Sequence, residues 1–369
     1  DNLWHIFTDF YGGQYVPLAF LSYLVLYAGF GYDPFYFHMF SLLLHIGCVC
    51  LVWKLISSLL RVHGGVSEKQ ILYVNFITTL LFAVHPINVE AVAWISALKV
   101  LLYAFFYLLG LLCYLRYIRT SKIFYYVLTI GCFLCSFWGK EQAVTFPLAL
   151  LIVDWFTNRN MKNLEVWSEK MSFLIMAFFF GIITVLSQGK GPYEMIFPLY
   201  QRLLFGCFAL VEYITKSLLP VNLNFFYPFP IVLGEEPPLH YYLYPVVLLF
   251  LMGWIIAYRN NRYLVFGVLL FLVNLLFSIH LFNMSRHAIV ADRYMYLSYV
   301  GIAFLIANGI WWLRKRLSYF KAALVFLFFY CFFLSVYTFH YTKKWENTTM
   351  VKKYTKEVLE KRLNGSNHL

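Results

Sequence analysis

Charge is what this sequence has least of. Asp, Glu, Lys and Arg make up 12% of its 369 residues, while 62% are apolar; soluble domains average about a quarter charged and about half apolar. That deficit excludes a soluble globular chain, and the apolar excess excludes disorder and collagen-like repeats. A Gly-rich phosphate loop, a paired-Cys zinc spacing and a His-Glu-x-x-His run are all missing, so nothing supports nucleotide or zinc hydrolysis. The chain opens at Asp1 without a basic-then-apolar leader, and it is read as lacking its natural N-terminus. The 7 cysteines all lie within apolar runs. Cys132 and Cys135 have C-x-x-C spacing but no basic flank to lower a thiol pKa, so they are read as ordinary buried residues.

What is abundant points to lipid. The 39 Phe, 30 Tyr and 10 Trp suit helices that cross a bilayer with rings at both interfaces. Crossing about 30 Å of hydrocarbon takes about 20 apolar residues. About ten stretches are candidates, near 36–60, 71–84, 98–117, 122–138, 142–157, 171–187, 241–257, 263–281, 297–313 and 318–339. The expected fold class is therefore an all-α polytopic membrane protein of about ten transmembrane helices. Residues 1–35 read as an outer loop with a juxtamembrane helix, 36–340 as the transmembrane domain and 341–369 as a short outer tail. Within that tail, Lys353/Glu357 and Lys356/Glu360 are spaced for i,i+4 pairing on a helix.

The net charge of +12 sits in short clusters between the apolar runs, which fits an orientation signal and no nucleic-acid partner. With 36–60 running inward, Arg61, Lys69, Arg116, Arg119, Lys122, Arg159, Lys162 and Lys170 fall on the cytoplasmic side, and Lys99, Lys140 and Lys190 on the outer side. The stretch 199–218 is apolar but contains Arg202, Glu212 and Lys216, a mixture that suits a helix lying in the interface. If it crosses instead, the sides of everything after it swap. Counting the basic tail favours that version, but the collection of polar groups on one face favours the interfacial one.

Under that topology the sparse polar groups collect on the outer face: His85 to Glu90, Lys99, Lys140 with Glu141, Lys190, Arg286 with His287, and Asp292 to Tyr294. Ionisable groups inside a membrane are expensive, which makes these the candidate site. Pro86 suits the first turn of a helix, so His85 and Glu90 either flank a hydroxyl substrate or form a helix start whose acid the N-terminal dipole stabilises. Lys140 and Glu141 either neutralise each other at a tight turn or offer a point charge to a phosphate. Asp292 and Arg293 carry the same two readings, with Arg the better bidentate phosphate ligand. Asp154, at the other helix ends, reads as a structural anchor.

Taken in order, several segments resemble the membrane O-mannosyltransferases in which transmembrane helices precede tetratricopeptide repeats. They are Tyr15-Val16-Pro17-Leu18, Asp33-Pro34-Phe35 through His38 with Leu42-Leu43-Leu44-His45, and the block from His85 to Ile95. They continue with Lys140-Glu141-Gln142-Ala143-Val144-Thr145-Phe146-Pro147-Leu148, Leu219-Pro220-Val221-Asn222-Leu223 with Tyr227-Pro228, and Ala291-Asp292-Arg293-Tyr294-Met295-Tyr296-Leu297. The chain departs from that pattern at Val16, where relatives often have Arg, and at Ala97-Leu98-Lys99-Val100, where they often have Gly-Arg-Lys-Asp.

The resemblance implies a GT-C-like fold with one further helix upstream, about eleven in all, and an acidic catalytic motif also upstream of Asp1. It implies transfer of a mannose-like sugar from a polyprenyl-phosphate donor to a hydroxyl of protein, lipid or glycan at the periplasmic or lumenal face, with a bacterial inner membrane favoured over the endoplasmic reticulum. Such enzymes mostly need no metal, and no cofactor is expected. On this reading His85, Glu90 and Asp292 are catalytic, Lys99, Lys140, Arg286 and Arg293 hold the donor phosphate, and Glu141 and Tyr294 support them. The alternative is a lipid-linked-sugar transporter or flippase, or a non-catalytic membrane homologue.

Overall fold

The computed structural model describes residues 2–10, 13–188, 197–280 and 288–366, and among these the chain is helix and turn with no β-strand. Fifteen α-helices follow in order: α1 (Asn2–Thr8), α2 (Pro17–Phe30), α3 (Pro34–His63), α4 (Glu68–Val84), α5 (Val89–Ala93), α6 (Leu98–Thr120), α7 (Ile123–Gly139), α8 (Phe146–Phe156), α9 (Leu164–Gln188), α10 (Leu199–Leu218), α11 (Leu243–Ala257), α12 (Arg262–Leu275), α13 (Met295–Trp312), α14 (Leu317–Thr342) and α15 (Thr348–Ser366). Local sequence sets their starts. Asp33 caps α3 by accepting from the Phe35 N–H, and Pro34 follows at the first helical position. Ser67 caps α4 through the Gln70 N–H.

Among the described residues, six helices are long and apolar enough to cross a membrane: Pro34–His63, Ile95–Thr120, Leu164–Ser187, Leu239–Ala257, Asp292–Lys315 and Leu317–Trp345. A seventh crossing forms if Glu68–Val84 and Pro86–Ala93, bent by 51°, count as one broken span. The expectation of ten is therefore too high among the described residues. Apolar runs overestimate spans because breaks shorten the helices within them. The run at 142–157 opens as a 3₁₀ turn, Glu141–Thr145, and leaves α8 only 11 residues, about 17 Å at helical rise. The stretches 122–138 and 263–281 yield helices of 17 and 14 residues, about 26 and 21 Å.

Two ends of the bundle can be told apart by contact. At one end His63 shares a hydrogen bond with the Phe156 carbonyl at 2.7 Å, Arg262 covers the Trp155 ring, and Tyr73 packs on Trp311. The α3–α4, α8–α9, α11–α12 and α13–α14 connections thus meet there, with Arg61, Arg159, Arg259, Arg262, Arg314, Lys315 and Arg316. Lys170 departs from the loop placement, because it is fully buried. It joins Asp154, Glu169, Arg159 and Tyr114 in an ion network that ties α6, α8 and α9 together. Asp154 is thereby an anchor, as expected.

The opposite end gathers the α4–α5 break, the start of α6, the α7–α8 junction, the end of α12 and the start of α13. Thr338 of α14 donates to the Val84 carbonyl there, and Trp345 packs near Trp94. Helices cross closely beside it. A β-carbon on Gly301 of α13 would lie 2.5 Å from the Gly267 carbonyl oxygen of α12, and one on Gly139 of α7 would lie 2.7 Å from the Tyr103 nitrogen of α6. Small residues let helix backbones approach this closely. Apolar side chains such as Phe250, Phe326 and Phe332 stay exposed on α11 and α14, as expected of a surface that meets lipid.

Candidate functional site

The site is assembled from three backbone interruptions. Pro86 disfavours helical geometry at His85, so α4 stops there and a 3₁₀ turn, Pro86–Asn88, leads into the five-residue α5. A second 3₁₀ turn, Ile95–Ala97, precedes α6. At the α7–α8 junction Lys140 is extended and Glu141–Thr145 is a 3₁₀ turn. The third interruption, Asp292–Tyr294, opens α13.

These interruptions bring most of the expected residues together. Glu90 is fully buried, and its carboxylate accepts from Arg293 twice, from the backbone N–H at 2.7 Å and from Nη1 at 2.5 Å. The Arg293 guanidinium also covers Trp94 and Tyr294, 5.3 and 5.2 Å from the ring centres. Lys140 is buried with its ammonium 4.6 Å from the centre of the same Tyr294 ring. Lys99, at the first turn of α6, donates to the Gln14 amide oxygen at 2.5 Å and lies within electrostatic reach of Glu141, Arg293 and Tyr294. Lys99, Lys140, Arg293, Glu141 and Tyr294 thus form one cluster, with Lys99, Glu141, Arg293 and Tyr294 partly exposed.

His85 and Asp292 are placed differently. His85 is buried against the Tyr299 ring at 4.2 Å, and its Nδ1 accepts from the Ile87 N–H. It therefore caps the 3₁₀ turn that aims Glu90. Asp292 is buried, and both its oxygens accept from the Tyr227 hydroxyl at 3.0 Å. That hydroxyl in turn accepts from the Asn224 N–H at 2.7 Å. Burial, followed by the charge of Asp292, holds the Tyr227 pKa well above its ordinary value, so it stays a protonated donor. Arg286 lies outside the described residues, as do Lys190 and His287.

Four participants were not among the candidate site residues: Gln14, Trp94, Lys216 and Tyr227. Lys216 is buried with its ammonium 4.5 Å from the centre of the Tyr227 ring and 3.4 Å from Glu212. Its charge within an apolar helix was the one available signal. Gln14 and Tyr227 carry no charge and sit in loops, so neither periodicity nor charge marks them.

Together these features define a polytopic all-α membrane protein with a cluster of ionisable side chains at one end of its bundle. The chain is 30% identical to protein O-mannosyl-transferase tmtc2 of Xenopus laevis over 203 residues, 50% of this chain and 23% of that protein. It is 33% identical to protein O-mannosyl-transferase TMTC2 of Homo sapiens over 179 residues, 44% of this chain and 20% of that protein. Protein O-mannosyl-transferase Tmtc3 of Drosophila melanogaster is 28% identical over 172 residues, 42% of this chain and 18% of that protein. The family resemblance read from the motifs therefore holds, and the chain spans about a fifth of the length of these relatives. They are animal proteins, so the expected preference for a bacterial membrane gains no support. No family model and no solved structure matches the chain.

Proposed function

We propose that this chain is the membrane-embedded part of a GT-C-type glycosyltransferase, moving a mannose-like sugar from a polyprenyl-phosphate donor to an acceptor hydroxyl. The observation that carries the proposal is the convergence of Lys99, Lys140 and Arg293 at the bundle end opposite the basic loops. Cations fixed in a site that excludes water stabilise a departing phosphate far better than cations in bulk solvent. Arg293 and Lys99 meet the phosphate at the open side of the cluster, and Lys140 acts from behind the Tyr294 ring. Glu90 orients Arg293, His85 orients the turn bearing Glu90, and Tyr227 fixes Asp292.

By the positive-inside rule the basic loop end is cytoplasmic, which puts the cluster on the lumenal or periplasmic side. On this reading α10, charged on one face, lies in the interface. Both α9, which ends beside Gly13, and α11, whose far end leads to Arg262 at Trp155, support that placement. On this reading α9 ends and α11 begins at the end of the bundle that carries the cluster. The reaction joins the acceptor oxygen to the anomeric carbon while the bond to phosphate breaks, and displacement in one step inverts that carbon.

Reconstituting the full-length protein in vesicles with labelled polyprenyl-phosphate-mannose and a Ser/Thr-containing peptide tests the proposal. Covalent label on the peptide is the expected result. Label that crosses the bilayer without covalent transfer would instead favour a flippase.

A further inference from the structure

We infer that Glu141 recognises the hydroxyl groups of the donor sugar, an inference that rests on the proposed lipid-phosphate-sugar reading of the same site. Three other acids at this end of the bundle are already engaged. Glu90 has both oxygens on Arg293, Asp292 has both on Tyr227, and Glu212 is paired with Lys216. Glu141 makes no hydrogen bond or ion pair among the described residues, and its side chain is partly exposed.

Its backbone is nonetheless held firmly. Lys140 before it is buried on the Tyr294 ring. Gln142 after it is buried and donates to the Ser278 hydroxyl at 2.7 Å. The 3₁₀ turn Glu141–Thr145 then runs directly into α8. A carboxylate on so fixed a base has a defined direction, which a recognition group needs.

Its electrical setting narrows the ligand. Glu141 lies within reach of Lys99, and a negative charge beside phosphate-binding cations repels the phosphate itself. Some other part of the ligand must gain from it. An ionised carboxylate only accepts hydrogen bonds, and those it accepts from hydroxyls are short and strong. A sugar esterified to that phosphate brings such hydroxyls to the same place. A carboxylate that merely balanced Lys99 would affect every phosphate diester alike, which gives the test its discrimination.

The measurement is the affinity of the full-length protein in nanodiscs for two lipids of equal charge, polyprenyl-phosphate-mannose and the methyl diester of polyprenyl phosphate. Glu141→Gln is expected to weaken the mannose lipid about tenfold or more and to leave the methyl diester unchanged or tighter. Glu141→Asp should keep part of the sugar preference. An unaltered preference in Glu141→Gln, or equal weakening of both lipids, overturns the inference. Failure of the wild-type protein to bind either lipid overturns the donor reading, and this inference with it. A thermal melt of each variant confirms that the fold is intact.

Discussion

Arg293 and Glu90 are 203 residues apart in sequence, yet both oxygens of the Glu90 carboxylate are held by Arg293, at 2.7 and 2.5 Å. This pair joins the α4–α5 break to the start of α13. Glu90 is fully buried and the Arg293 side chain is 19% exposed. Removing the acid leaves a cation without its partner in a dry setting. Glu90→Ala should therefore cost about 3 kcal/mol of stability, read from denaturant unfolding in detergent. An unchanged midpoint would mean that the pair is not formed.

The crossing of α12 and α13 leaves no room for a side chain at Gly301, where a β-carbon would lie 2.5 Å from the Gly267 carbonyl oxygen and 2.7 Å from the Phe271 nitrogen. Because these atoms are backbone, they cannot rotate away. Gly301→Val should destabilise the protein by about 1–3 kcal/mol or more and lower transfer by moving Asp292 and Arg293. Gly253→Ala, whose β-carbon meets nothing within 4 Å, should be nearly silent in the same thermal melt.

Tyr227 should leave a mark at high pH. Burial and the neighbouring Asp292 charge raise its pKa well above the ordinary value. The folded state therefore holds this proton more tightly than the unfolded chain does. The stability it contributes is complete below about pH 10, the unfolded value, and falls as pH rises beyond that. Comparing alkaline unfolding of wild type and Tyr227→Phe should show a shallower loss above pH 10 in the variant. Parallel curves would refute the assignment.

Gln14 holds Lys99 through a single hydrogen bond of 2.5 Å. Gln14→Ala should weaken donor binding several-fold by releasing the ammonium, while kcat stays close to wild type. A fall in kcat with donor KM unchanged would show that Gln14 acts on the chemical step instead.

The membrane class was legible because the apolar excess is global, and the bundle's two ends followed from where Lys and Arg cluster. Span number was not legible. Hydropathy registers an apolar run but not the 3₁₀ turn at Glu141–Thr145 that leaves α8 only 11 residues. For the site, charge in an apolar setting pointed to Glu90, Lys99, Lys140 and Arg293, which the fold brings to one end of the bundle. It could not foresee that Glu90 is spent on Arg293, since that pairing depends on how α13 meets the α4–α5 break. A neutral partner such as Gln14 has no signature in one dimension, and Tyr227 was marked only by the Tyr227-Pro228 motif, with no role attached.

If the cations at this end of the bundle serve a departing lipid phosphate, the rate of mannose transfer from polyprenyl-phosphate-mannose by full-length Lys140→Gln and Arg293→Lys variants whose melting resembles wild type shows it most directly. Each variant should lose about 100-fold or more in turnover, in line with the loss of one electrostatic stabiliser. Wild-type turnover in both variants would contradict that role.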